Sequence, residues 1–395
     1  MPRITTEQRR ARLGRRHRLV QSAQGTDPAE AARSLIGYHA TDPGSVYLQA
    51  RARSRDMSAA TLERALYDDR SLVRMIGMRR TLFAVPTELA PMVNAAATRA
   101  IAARERTRLV AMLGDSGIAA EPEAWLEKVE AATVDALRSH DGPVAATELS
   151  AEVAGLRERI TFGEGREWVG TMSVATRLLM LLAMEGRIMR GRPRGTWISG
   201  QYRWAPTDRW LGGDMPQLAT DDAQQELVRR WLRAFGPGTE RDVAWWTGLT
   251  LGAIRRAVAG LDVMTVELDD GSGGLVLADD LAPEPPSDAW VALLPALDAT
   301  TMGWTTRDWY LGRHGPVLFD TNGNAGPTIW VDGRVVGGWS QRRNGEVLVR
   351  LLEDPGRETR AAIEGEAAAL GAWVGPVRVV PRFRTPLEQE LAATG

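Results

Sequence analysis

Apolar positions along the chain keep a helical period up to a proline-rich stretch, APEPPSD (282–288), and alternate beyond it. Before that stretch one order of elements recurs three times: helices, a helix rich in small apolar residues, then a short hairpin. It is clearest at 221–279. DDAQQELVRRWLRAF places Leu227, Trp231 and Leu232 on one helical face, and GPG ends that helix. Thr239 and Asp242 have the spacing of a capping box, in which the hydroxyl accepts from a free N–H of the first turn, and they open the helix ERDVAWWTG. LGAIRRAVAGL is a further helix stopped near Gly260, and MTVEL and LVLA flank the turn-rich DDGSGG as a hairpin. Three helices and a hairpin describe a winged helix-turn-helix. The middle segment repeats the order as WLEKVEAATVDALRSH, AATELSAEV and SVATRLLMLLAMEGRIMRG, with a hairpin of GTWIS and QYRWAP. In the first segment the pattern predicts helices around 6–18, 28–40, 44–54 and 59–67, with RRTLFAV as a strand.

After the linker, WVALLPAL, GPVLFD, PTIWV, RVVGGW and EVLVRLLE read as short strands. Asp332-Gly333 and Asn344-Gly345 are hairpin signals, because both central positions of a type I′ turn need positive φ. One amphipathic helix, ETRAAIEGEAAALGAW, packs against these strands. The expected fold class is therefore α+β: three tandem winged helix-turn-helix units (1–120, 121–215 and 216–284) followed by a β-rich domain (285–395), a meander or small barrel. A chain of 395 residues is long enough for several such units.

Composition narrows the chemistry. With no cysteine, disulfides, thiolate zinc sites and a cysteine nucleophile are excluded, and a reducing compartment, the cytoplasm, is the default. The N-terminus MPRITTEQRRARLGRRH has no apolar run after its charge, so no secretory signal is expected. The greasiest stretch, VATRLLMLLAME, is interrupted by Arg177 and is too short to span a bilayer. Net charge is −1, but nearly all the positive charge is arginine, Lys128 being the only lysine. Arginines cluster at 3–18, 51–55, 70–80 and 187–209, and acidic residues gather elsewhere. Arginine suits bidentate phosphate contact, so a nucleic-acid face is compatible with a neutral protein. A coding bias that replaces lysine on solvated surfaces explains the same counts.

Of the four histidines, His17 and His140 have charged or polar neighbours and read as solvated; none has a partner at metal-ligand spacing, so neither a metal nor a cofactor is expected. GxSxG and Walker motifs are absent, and GNAGPT lacks the lysine of a P-loop. Asp298, Arg307 and Asp308 read as an internal ion-pair network. His39 and Thr41, in LIGYHATDP, are different. Asp42 and Pro43 are explained as the N-cap and first position of a helix, and His39 as a residue near a preceding helix end. A polar pair emerging from an apolar segment is less well explained by that account.

Six stretches together resemble the AlkZ/YcaQ type of bacterial winged-helix DNA glycosylases over almost the whole chain: LIGYHATDP, LERALYDDRSLVRMIGMRRTLFAVP, GTWISGQYRWAP, AFGPGTERDVAWWTGL, VALLPALDATTMGWTTRDWYLG and LFDTNGNAGPTIWVDGRVVGGW. The resemblance implies three winged helices and a β-rich domain around a channel for double-stranded DNA. It also implies a catalytic role for the His-Ala-Thr position, which usually carries Gln-x-Gln; here His39 and Thr41 stand in for the two glutamines. Hydrolysis of an N-glycosidic bond passes through an oxocarbenium-like sugar, so water must be placed on the anomeric carbon and its proton accepted. An N-alkylated purine is already cationic and leaves neutral, which removes the need for a strong acid. An imidazole with a pKa near neutrality can position or deprotonate that water, with the Thr41 hydroxyl assisting. Strand cleavage by Schiff-base chemistry needs an amine, and Lys128 lies in an acidic run that favours its charged form; a monofunctional hydrolase is expected. Candidate DNA contacts are Arg79 and Arg80, beside the first wing, and Arg190, Arg192, Arg194, Gln201, Tyr202, Arg203 and Trp204, around the second. The aromatic residues among these also suit the core of the wing. The partner expected is duplex DNA, met by a monomer near the nucleoid, with no obligate protein partner. A DNA-binding protein without catalysis is the alternative reading.

Overall fold

The computed structural model describes residues 1–162, 169–285 and 288–393; two residues of the expected linker, Pro286 and Ser287, lie outside them. The protein is a mixed α/β molecule. In the first unit Asp27 caps the helix Pro28–Ser34, whose Pro28 stands in the first turn where its missing N–H costs nothing. This helix stops well before residue 40. Ile36 takes φ 70°, and Gly37 passes so close to the neighbouring strand that a Cβ there would sit 2.8 Å from the Val85 side chain. The chain is thereby turned into a two-residue strand, β1 (Tyr38–His39), where the apolar period predicts helix. The helices Pro43–Arg51 and Ala59–Glu63 follow, the second running on into a π turn, Arg64–Asp68. Strands β2 (Leu72–Ile76) and β3 (Leu82–Pro86) close the unit, with β3 between β1 and β2.

The second unit has the same order. After the helix Pro122–Ser139 come β4 (Val144–Ala145), the helix Ala146–Glu152, a hairpin of β5 (Arg159–Phe162) and β6 (Gly170–Ser173), and the helix Val174–Met184. Strands β7 (Ile188–Arg190) and β8 (Arg203–Pro206) complete it, β8 again lying in the middle. The expected strand GTWIS is instead a turn. Its alternation of side chains serves docking, since Trp197 packs 4.8 Å from Tyr47 and 6.0 Å from Trp373.

The third unit follows the pattern closely: helices Thr220–Phe235, Glu240–Thr247 and Leu251–Ala259, then β9 (Val263–Glu267) and β10 (Gly273–Leu277). Thr239 and Asp242 form the capping box. The single bridge Gly238 to Leu275 stands where β1 and β4 stand in the other units.

The C-terminal region is a four-stranded antiparallel meander, β11 (Val291–Leu294), β12 (Thr328–Val331), β13 (Arg334–Gln341) and β14 (Val347–Leu351), with the helix Arg357–Val374 packed on it through Ile363, Ala367 and Leu370. Asp332 and Gly333 both take positive φ; at the second hairpin only Gly345 does. GPVLFD is not a strand: Pro316 starts a short helical turn, Gly315–Leu318, and Phe319 makes one isolated bridge.

One apolar core runs through the first unit, the third unit and the meander, joining Leu35, Phe83, Trp231, Trp246 and Trp330; a second holds Leu126, Leu149, Leu178 and Leu182 of the second unit. The first core has a polar centre. Arg53 and Asp298, both fully buried, form a bidentate ion pair with N···O distances of 2.9 and 2.6 Å. Arg53 also donates to the Thr300 hydroxyl, which lies 2.8 Å from Nδ1 of His17, and His17 Nε2 lies 3.1 Å from the Ala234 carbonyl. His17 is thus fully buried rather than solvated, because the helix Thr6–Arg16 turns its arginine-rich face inward onto distant partners: Arg12 reaches Asp280, and Arg9 lies over Trp309. His140, half-buried, meets Glu152. The network expected of Asp298, Arg307 and Asp308 is not formed: Asp298 pairs with Arg53, Arg307 lies over the rings of Trp245 and Phe319, and Asp308 is exposed at the start of the short helix Asp308–Leu311.

Candidate functional site

The helix cap at Asp42 sets the site. Its carboxylate accepts from Gly44 N–H on one oxygen and from Arg382 N–H on the other, fixing both the start of helix Pro43–Arg51 and a C-terminal segment beside it. Just before the cap, Thr41 is half-buried, and its hydroxyl oxygen accepts from Leu82 N–H at 3.3 Å. The buried Gln49 clamps the strand from behind, accepting from His39 N–H and donating to the His39 carbonyl.

Thr41 opens onto a concavity of about 1070 Å³ between the first two units, at the upper end of small-molecule pockets. Its wall includes Arg79, Arg80, Arg190, Arg194 and Arg382 and, among the described residues, no Asp or Glu. Gln201, Tyr202 and Trp204 belong to it, as do the apolar Ile76, Leu82, Leu179 and Met180. Most of the predicted contact residues are therefore brought together. Three are not on this wall. Arg192 turns to the first unit, pairing with Glu63 and Asp68 and lying over Tyr67. Arg203 sits half-buried on β8. His39 lies behind the wall, 4 % exposed, edge-on to Phe83 at 5.1 Å.

Burial, reinforced by the positive charge of Arg79, pushes His39 down to about 3, so the imidazole is neutral at physiological pH rather than poised near neutrality. Its buried Nδ1 has no hydrogen-bond partner among the described residues. Arg79 and Arg80 form the tip of the β2–β3 hairpin, both at positive φ (54° and 60°). Arg79 lies 4.1 Å over Trp245 of the third unit, and Gly248 lets that unit's helix end approach so closely that a Cβ would sit 3.1 Å from the Arg79 nitrogen. Arg190, 7 % exposed, lies 4.7 Å over Trp204 and forms no ion pair among the described residues; burial lowers it to about 10. Arg74 donates to the Tyr202 hydroxyl at 3.1 Å, so a second buried cation stands close by. Arg382 and Phe383 also line the wall. They escape a reading of the helical units because they come from the far C-terminus, although PRFRTP is itself a proline-bounded basic and aromatic segment. No group of His, Asp or Glu among the described residues is arranged to hold a metal ion, and no helix among them is long and apolar enough to cross a membrane.

The family model of AlkZ-like DNA glycosylases matches residues 32–373. The chain belongs to that family. Its fold is similar to that of the Streptomyces sahachiroi DNA glycosylase AlkZ, with a TM-score of 0.72 over 96 % of this chain and 99 % of that one, at 19 % identity. Among curated proteins no sequence matches it. Membership of the AlkZ-like family makes DNA the substrate and cleavage of the base from the sugar the class of reaction.

Proposed function

We propose that the protein is a monofunctional DNA glycosylase that hydrolyses the N-glycosidic bond of bulky N-alkylated purines, or unhooks crosslinks, in double-stranded DNA and leaves an abasic site. The observation that carries this reading is the arginine-walled concavity, with no Asp or Glu on its wall among the described residues and with Thr41 of the His-Ala-Thr motif on its surface. Five guanidinium groups suit phosphates, and the apolar part of the wall suits a large adduct. The Thr41 hydroxyl is the group at hand to hold water against the anomeric carbon. His39 is a positioning residue behind it, a neutral acceptor, since a group at about 3 is a poor base at neutral pH. That is sufficient for a cationic leaving base.

The same proposal reads the repeated strand orders as winged helix-turn-helix units at 1–120, 121–215 and 216–284, with the β-rich domain at 285–395, in a monomer acting near the nucleoid. The burial of His39 favours a second reading, a DNA-binding protein without catalysis. Incubation with duplex containing N7-alkylguanine separates the two. Free base and alkali-labile sites are expected from the wild type, with at least a hundredfold less from Thr41→Ala and His39→Ala. No release above the His39→Ala control for several adducts, with salt-sensitive duplex binding retained, would leave the second reading standing.

A further inference from the structure

The two units that wall the concavity meet through like elements. Their strand orders are β1-β3-β2 and β4-β8-β7. Strands β2 and β7, the same element in each, pack against one another. They also exchange core residues: Ile76 of β2 packs into the apolar core of the second unit, and Met189 of β7 into that of the first. An interface in which each copy offers the same patch to the other has two-fold character. The walls keep this correspondence. Thr41, two residues beyond β1, matches Thr147, two beyond β4; the tip Arg79–Leu82 matches the β7–β8 connection that carries Arg194 and Gly200–Tyr202, while Arg190, the last residue of β7, adds a guanidinium from the strand itself. Chemistry breaks it, since the last residue of the short strand is His39 in one unit and Ala145 in the other.

Duplex DNA has a local dyad that exchanges its two strands, so equivalent contacts from two halves whose two-fold coincides with it fall on opposite strands. We propose that the first two units divide the duplex in this way. The Arg79–Arg80 tip takes phosphates of the strand that carries the lesion, beside the motif, and Arg190 and Arg194 take phosphates of the complementary strand. The second unit is then a grip without chemistry. This rests on the functional reading above. The ion pairs of Arg80 with Glu105 and of Arg194 with Glu148 lie at the surface and hold these side chains only weakly, so phosphate can replace the carboxylates.

The test uses the full chain and a duplex with one stable abasic analogue, with methylphosphonates neutralising phosphates of one strand at a time. Each strand's substitutions are expected to weaken wild-type binding by roughly five- to tenfold per contact removed. Arg190→Ala/Arg194→Ala should become indifferent to substitutions on the complementary strand alone, and Arg79→Ala/Arg80→Ala to those on the lesion strand alone. Arg194→Ala, at an exposed position, gives the same strand bias should the double variant fail to fold. Loss of sensitivity on the same strand in both variants would overturn the division while leaving a DNA-acting protein. Failure of the wild type to bind duplex at low salt would overturn the functional reading itself, and this assignment with it.

Discussion

Two of the three buried imidazoles in this protein, His17 and His39, have surroundings that treat them in opposite ways. His17 and His39 are both pushed down to about 3 by burial, each with an arginine adding to the effect. Around His17 both ring nitrogens are matched, in a chain running from Asp298 through Arg53 and Thr300 to the imidazole and on to the Ala234 carbonyl, in which Arg53 Nε alone lacks a partner among the described residues. Around His39 the matching stops. Its Nδ1 is unpartnered, and neither Arg79 nor Arg190 forms an ion pair among the described residues. An unmatched buried polar group costs about 1–3 kcal/mol. Where unmatched groups line an open cleft, as Arg79 and Arg190 do, a partner from outside completes the set.

The strongest way to break this contrast is at the matched centre. Arg53→Ala strands the Asp298 carboxylate in the core and is expected to cost about 3–5 kcal/mol in urea denaturation. Arg190→Ala removes a cation that has no carboxylate to strand, and is expected to cost less than about 1 kcal/mol while weakening duplex binding. Equal losses in the two variants would mean that the cleft is as structural as the centre.

A proton titration compares the two histidines directly. Both have folded values of about 3 against an unfolded value near 6.5, so the unfolded chain takes up protons first as pH falls. Their contribution to stability is complete above the unfolded value and declines toward the folded one, by about 1.4 kcal/mol per pH unit for each histidine. Chemical denaturation between pH 7 and 5 should show this slope, and His17→Asn and His39→Asn should each remove part of it. Base release should show no inflection near 6.5. An inflection there that disappears in His39→Asn would mean that the imidazole titrates in contact with solvent.

Much of this architecture is legible in the order of residues, and the failures have one physical cause. The third unit follows the pattern because its signals are local: a capping box at Thr239, a helix stop at Gly236 and strong apolar faces around Trp231 and Ile254. The break at Ile36 and Gly37 is imposed by a strand that arrives some fifty residues later, so the apolar period continues through it unmarked. His17 sits among arginines that look solvated until Asp280 and Trp309 close over them. Within the site, Thr41 and the arginines are recognisable by type. The neutrality of His39 is not, since it comes from Phe83, Gln49 and Arg79 together.

The smallest expected effect concerns the hairpin tip. Met78 to Thr81 form a tight turn closed by the Thr81 N–H donating to the Met78 carbonyl at 3.1 Å, with Arg79 and Arg80 at its centre at φ 54° and 60°. Left-handed backbone costs an L-residue roughly 1–2 kcal/mol, and turns of this shape prefer Asn-Gly. Two arginines here are a choice for side chains over backbone comfort. Replacing the pair with Asn-Gly is therefore expected to raise stability by about 1 kcal/mol. The same replacement should lower the slope of log affinity against log salt by about 2, because each lost phosphate contact removes about 0.9. Unchanged stability would show the turn to be unstrained. An unchanged salt slope would show that the tip does not reach phosphate, and the cleft's unmatched cations would then have to be explained by Arg190 and Arg382 alone.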